Sequence, residues 1–218
     1  TKFYKNYILS KPIWSSTETI LETNQKKEDF DEEPVLDRME IQLKKSNIPT
    51  KFVKNIDLNW AVKDMSRLIK QYSNGDYMLI FPFCSKKHVN KKWPFYKDLI
   101  SKVKLEFKNE YAVLLAPGPN EVNEAKELNT KIVLVEDQPL DIKSLISLIY
   151  FSKFIISNDT GPAHIASHFN KKGLVLFGSH TSAKKVSIEN SNFKVISVKN
   201  LKNLSVDTVV KEIKNNLN

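Results

Sequence analysis

The sequence predicts an α/β protein, a doubly wound parallel sheet with helices on both faces, and three observations carry this. From about Gly75 onward, short continuous apolar runs alternate with amphipathic stretches. Continuous apolar strands belong to sheets covered on both sides, and regular alternation with helices is the signature of parallel crossovers. The polar, charged and glycine-bearing loops follow the apolar runs, and in a parallel sheet those loops gather on one edge, where ligands bind.

Taken in order, Tyr77 to Pro82 (YMLIFP) is a buried strand, and Phe95 to Phe107 a helix with Leu99, Ile100, Val103 and Phe107 inward. Strand Tyr111 to Ala116, helix Glu121 to Leu128, strand Lys131 to Val135 and helix Ile142 to Phe151 follow. Strand Phe154 to Ser157, helix Pro162 to Phe169, strands Leu174 to Phe177 and Lys194 to Val198, and helix Val206 to Leu217 complete the set. Ahead of Gly75 the composition differs. The charged stretch Thr23 to Glu33 precedes Pro34, and the apolar set Val35, Leu36, Met39 and Leu43 reads as a helix ended by Asn47 and Pro49. A second helix is expected from Trp60 to Tyr72.

Composition sets the outer limits. With 218 residues and 41% hydrophobic content the chain can bury a core, which excludes a long disordered polypeptide despite a formal charge of +9. No run approaches the roughly 18 apolar residues of a membrane span, and Thr1 to Ser10 has no signal-like apolar block. A single cysteine, Cys84, excludes an internal disulfide and fits a reducing compartment. A chain that begins Thr1-Lys2-Phe3 is expected to be a fragment or a processed product.

The sharpest segment is FIISNDTGPAHIASH, Phe154 to His168. An apolar strand ends in a polar loop, Gly161 permits an unusual backbone angle, and Pro162 suits a first helical turn. Such a helix start offers free amides to a phosphate. Asp159 and Thr160 are then either ligand contacts or helix caps. His164 faces the same crevice, and His168 lies one turn further. The pair lacks a third ligand at a telling spacing, so no metal site is expected. The second segment, Ser85 to Leu99, carries five lysines. These read as a solvated run or, because they follow a buried strand directly, as an anion site to which Ser85 adds a hydroxyl. Trp93 and Pro94 are expected to pack the start of the next helix.

K-K-W-P at Lys91, P-G-P-x-E ending at Glu121, N-D-T-G-P-x-H-x-A from Asn158 to Ala166 and V-L-F-G from Val175 to Gly178 stand in the order and spacing of family 9 glycosyltransferases. The chain resembles these ADP-heptose:lipopolysaccharide heptosyltransferases from about Gly75 to its end, and more faintly over Asp37 to Ile48. The resemblance implies a GT-B fold of two Rossmann-like domains. Residues 74–218 would be the nucleotide-sugar domain, and 1–73 a remnant of an N-terminal acceptor domain that is largely missing, together with the connector. It implies Lys91 as the group that stabilises the diphosphate leaving group, Ser85 at a hydroxyl position, Glu121 at the ribose, and Asp159, Thr160, Gly161 and His164 in the sugar-diphosphate loop. It implies an inverting, metal-independent transfer without a cofactor, from an ADP-sugar to a lipopolysaccharide-core or related lipid-linked glycan at the cytoplasmic face of an anionic membrane. The family's general base, an aspartate near the start of the first domain, has no counterpart in this sequence. Two departures stand out: Cys84 to Asn90 is longer than in the family, and S-H-T-S follows Gly178 where P-T-x-P is usual.

Two other classes compete. A charge of +9 is a common footprint of nucleic-acid binding, but the lysines are spread over the whole chain and no aromatic-basic motif of an RNA-binding fold occurs, so nucleic acid is not expected as a partner. A truncated or stand-alone domain that binds a nucleotide sugar without catalysis is the alternative function.

Overall fold

The computed structural model describes residues 15–16, 20–108 and 110–217, and the features noted at Thr1 to Ser10 lie outside them. The chain forms two compact units, one of residues up to 56 with 184–187, the other of residues 57–183 with 188–218.

In the first unit, α1 (Lys27–Glu32) and α2 (Val35–Lys45) flank Pro34. The charged stretch thus forms a short helix of its own, tied to α2 by Arg38 to Asp31 at 2.8 Å. Asn47 ends α2 as expected. It takes a left-handed φ of 58°, and the amides of Asn47 and Ile48 donate back to Lys44 and Leu43 at 3.0 and 2.9 Å, satisfying carbonyls that the helix end leaves open.

In the second unit a 3-10 turn (Asn59–Ala61) and α3 (Ser66–Tyr72) replace the single helix expected from Trp60 to Tyr72. Asp64 breaks it, because its Oδ1 accepts from both the amide and the hydroxyl of Ser66 at 2.8 and 2.6 Å and starts the helix afresh. Then come β1 (Tyr77–Phe81), α4 (Tyr96–Glu106), β2 (Ala112–Leu115), α5 (Val122–Lys126), β3 (Lys131–Ile132), α6 (Ile142–Phe151) and β4 (Phe154–Asn158). After these follow α7 (Gly161–His168), β5 (Gly173–Phe177), β6 (Phe193–Ser197) and α9 (Val206–Leu217), while α8 (Ala183–Val186), between β5 and β6 in the chain, falls in the first unit from residue 184 on.

All six strands are parallel, in the order β3-β2-β1-β4-β5-β6. Every residue of β1, β4 and β5 is buried, which explains their unbroken apolar runs. The two-residue period sorts them. Met78, Ile80, Phe154, Ile156, Leu174 and Leu176 pack with α4 and α9, through Leu99, Val103, Val209 and Ile213. Tyr77 points the other way and donates its buried hydroxyl to Leu148 O of α6 at 2.7 Å. Gly173 is required by close approach, since a Cβ there would lie 2.5 Å from Ile155 O and 2.6 Å from the Phe193 ring.

β3 stops at Ile132, three residues short of the expected Val135. Val135 and Gln138 instead close a two-residue hairpin in which Glu136 and Asp137 both have positive φ, 50° and 62°. The Tyr72 hydroxyl takes the amide of Leu134 at 3.1 Å and donates to its carbonyl at 3.0 Å on the open side of β3, while the Val133 amide is the one that faces β2 and donates to Leu115 O at 2.8 Å.

Candidate nucleotide-sugar site

The strand order reverses between β1 and β4, so the segments that leave these two neighbouring strands open the crevice where ligands bind in such sheets. After β1 the chain passes Cys84 and Ser85 and enters a 3-10 segment, Lys86–Lys91. After β4 it passes Asp159 and Thr160 into α7.

Asn158, the last residue of β4, fastens the two exits together. It is wholly buried; its Nδ2 donates to Pro82 O at 2.9 Å, while its Oδ1 accepts from Trp93 N at 3.2 Å and from the Tyr96 hydroxyl at 2.9 Å. Trp93 is buried as well, donates Nε1 to Leu204 O at 3.0 Å and meets Tyr96 edge to face, so it packs the start of α4 as expected.

With Trp93 held, Lys91 two residues earlier reaches across the crevice. Its Nζ donates to Asp159 Oδ2 at 2.6 Å. Asp159 is 5% exposed and is a hub, not a helix cap. The same Oδ2 lies 3.2 Å from His180 Nε2, and Oδ1 lies 3.5 Å from His164 Nε2. Burial opposes ionisation of Asp159, but hydrogen bonds from His164 and Lys91 outweigh it and hold the carboxyl well below the usual carboxylate range. Burial pushes His180 below the ordinary imidazole value despite the hydrogen bond to Asp159. His168 is lowered by burial and by His164.

Beside this cluster lies a cavity of about 410 Å³ walled by Phe81, Phe83, Pro117, Leu140, Ile142 and Leu145. Ser85, Glu121, Thr160 and Gly161 stand on its lining. Its size and apolar walls with a few polar groups suit a small organic ligand. Glu121 Oε2 accepts from Gly118 N at 2.7 Å, so the carboxylate is presented by the tight loop it closes. The Ser85 hydroxyl caps the 3-10 segment, accepting from Lys87 N at 3.4 Å.

Two local expectations change. Gly161 does not adopt a positive φ; a Cβ there would meet nothing within 4 Å, so glycine at this position leaves open room beside the cavity. The start of α7 is also poorer in free amides than expected. Pro162 has none, and those of Ala163 and His164 turn back to Thr160 O at 3.0 and 3.4 Å. Among the described residues no three His, Cys, Asp or Glu side chains are grouped as metal ligands.

The structure therefore brings Lys91, Asp159 and His164 into one polar cluster and Ser85, Glu121, Thr160 and Gly161 onto one cavity. Sequence reasoning missed His180 and Asn158. His180 left a trace in the departure S-H-T-S after Gly178. Asn158 stood in the N-D-T-G motif, but its bracing role could not be read there, because it depends on strands that meet only in the fold.

A six-stranded parallel sheet in this order, with a charged cluster and a cavity at its switch point, defines a Rossmann-like domain of GT-B type. The chain belongs to glycosyltransferase family 9 (heptosyltransferase), whose family model matches residues 14–213. Among solved structures it is similar to E. coli ADP-heptose LPS heptosyltransferase II, with 21% identity over 74% of this chain and 52% of that one and a TM-score of 0.58. E. coli heptosyltransferase WaaC, solved with ADP, matches at 17% identity over 90% of this chain and 58% of that one, with a TM-score of 0.60. S. aureus MnaA, solved with UDP, matches at 20% identity over 74% of this chain and 44% of that one, with a TM-score of 0.53. At these identities the likeness is one of fold, and the chain spans little more than half of either heptosyltransferase. No curated protein matches the sequence.

Proposed function

We propose that this chain is the donor-binding half of a glycosyltransferase that moves a heptose-like sugar from an ADP-sugar to a lipopolysaccharide-core or related lipid-linked glycan, with inversion and without a metal. The observation that carries the reading is Lys91 held at 2.6 Å from the buried Asp159, whose next residues Thr160 and Gly161 line a cavity together with Glu121 and Ser85, in a family 9 chain. As the glycosidic bond breaks, negative charge grows on the departing diphosphate, and a preorganised cation in a water-poor crevice stabilises that charge more than it stabilises the bound donor. Lys91 supplies this charge, and Asp159 fixes where it sits. The nucleoside enters the cavity, with Glu121 at the ribose hydroxyls and the sugar-diphosphate against Asp159, Thr160, Gly161 and His164. The acceptor and the general base that takes its proton belong to the other domain of the two-domain architecture.

WaaC was solved with ADP and MnaA with UDP, so the fold by itself is neutral about the base, and membership of family 9 favours ADP. A formal charge of +9 suits an acceptor anchored in an anionic membrane, where each nearby lysine adds roughly 1 kcal/mol of attraction. Among the described residues no helix is long and apolar enough to cross a membrane.

Calorimetry with ADP and UDP, with and without EDTA, tests the reading. ADP is expected to bind in both conditions. Lys91→Ala is expected to weaken ADP binding roughly ten- to a hundredfold, the range of one charge-assisted contact of about 1.5–3 kcal/mol. Exposed Lys87 serves as the control. Equal loss in Lys87→Ala, or binding abolished by EDTA, would overturn the assignment.

A further inference from the structure

His180 lies outside the motifs that define the family, yet it touches the centre of the candidate site. It follows β5, which stands next to β4. Its ring stacks on Phe177, with centroids 5.6 Å apart and planes 12° apart, and its side chain is 5% exposed. Nε2 lies 3.2 Å from Asp159 Oδ2, the oxygen that also accepts from Lys91. An ionised carboxylate only accepts, so Nε2 is the nitrogen that carries the proton in this contact. The other ring nitrogen, Nδ1, is buried without a partner. A buried polar atom left unpaired is unfavourable, and the ring's position therefore needs a compensating contact, which the Asp159 bond supplies.

We infer that His180 is a positioning residue for Lys91: its Nε2–H shares Asp159 Oδ2 with the ammonium, so Lys91 can extend its remaining N–H groups to a donor diphosphate. This rests on the donor-site reading above. The argument is one of competition. Asp159 is too buried to be left without donors. If Lys91 were the sole donor to Oδ2, its charge would be committed to that oxygen; a second donor on the same atom divides the demand. His164 cannot take this part, because it faces Oδ1 at 3.5 Å and its side chain is 37% exposed.

Three substitutions separate this role from simple packing. His180→Gln can place an amide N–H close to the Nε2 position, His180→Asn places one near Nδ1 instead, and His180→Phe keeps the stacking on Phe177 with no donor. By titration calorimetry with ADP, the Phe and Asn variants are expected to bind roughly tenfold more weakly, about the net worth of one hydrogen bond. The Gln variant is expected to stay within about threefold of wild type. Ring ¹⁵N shifts of His180 in the wild-type chain are expected to show the Nε2–H tautomer. Wild-type affinity in His180→Phe with an unchanged circular dichroism spectrum, equal loss in Gln and Phe, or an Nδ1–H tautomer would each overturn the inference while leaving the donor site standing. Failure of the wild-type chain to bind ADP or UDP would defeat the donor-site reading, and the inference with it.

Discussion

Replacing Asn158 by Ala tests how the crevice is built. The amide side chain serves three buried partners at once: Pro82 O at 2.9 Å, Trp93 N at 3.2 Å and the Tyr96 hydroxyl at 2.9 Å. Alanine supports none of them, and each orphaned group costs about 1–3 kcal/mol if it stays dry. A water entering the vacated space could bond about three groups and recover part of this. A net loss of about 3–5 kcal/mol follows, a large share of the 5–15 kcal/mol that typically separates folded from unfolded domains. Urea unfolding followed by circular dichroism, read with an unchanged m value, measures it. Because Trp93 N is one of the three partners and Lys91 precedes it by two residues, the variant should also bind ADP more weakly under conditions where it remains folded. A loss below about 1 kcal/mol would refute the reasoning, since it would mean that the β1 and β4 exits hold their places without this brace.

Two further outcomes follow from backbone and titration chemistry. Glu136→Asn with Asp137→Gly puts residues that tolerate positive φ into a turn that demands it twice, and is expected to stabilise the chain by about 1 kcal/mol in urea unfolding; destabilisation would contradict the observed turn. Burial lowers the folded-state pKa of His168 and His180 below 6.5, so the unfolded chain binds more protons as pH falls from about 6.5 toward their folded values. Stability is therefore expected to drop between pH 7.5 and pH 5.5 in urea titrations, more in wild type than in His180→Gln, whereas the ion-paired Asp159, held low, keeps its contribution over this range. A wild-type chain that gains stability on acidification would reject the sign of both shifts.

The sequence by itself determined the architecture of the second unit. Unbroken apolar strands and amphipathic helices are local patterns, fixed by which faces must leave water, and β1, β4, β5 and α9 each fall within a residue of where those patterns put them. It also marked the loops that carry Ser85, Lys91, Glu121 and Asp159 as the edge where ligands gather, because parallel connections leave the carboxyl ends of all strands on one side. Where a few polar contacts overrule periodicity, local reading failed. Asp64 restarted a helix, and the Glu136-Asp137 turn took the last residues of the expected β3 out of the sheet.

What only the tertiary structure decided is which side chain holds which. Lys91 and Asp159 are 68 positions apart and Asp159 and His180 are 21 apart, on segments that adjoin only because β1, β4 and β5 are neighbours in the sheet. A carboxylate buried among three donors, a histidine nitrogen left unpaired and an asparagine shared by three partners are properties of distance and solvent exclusion, and neither quantity is written in the order of the residues.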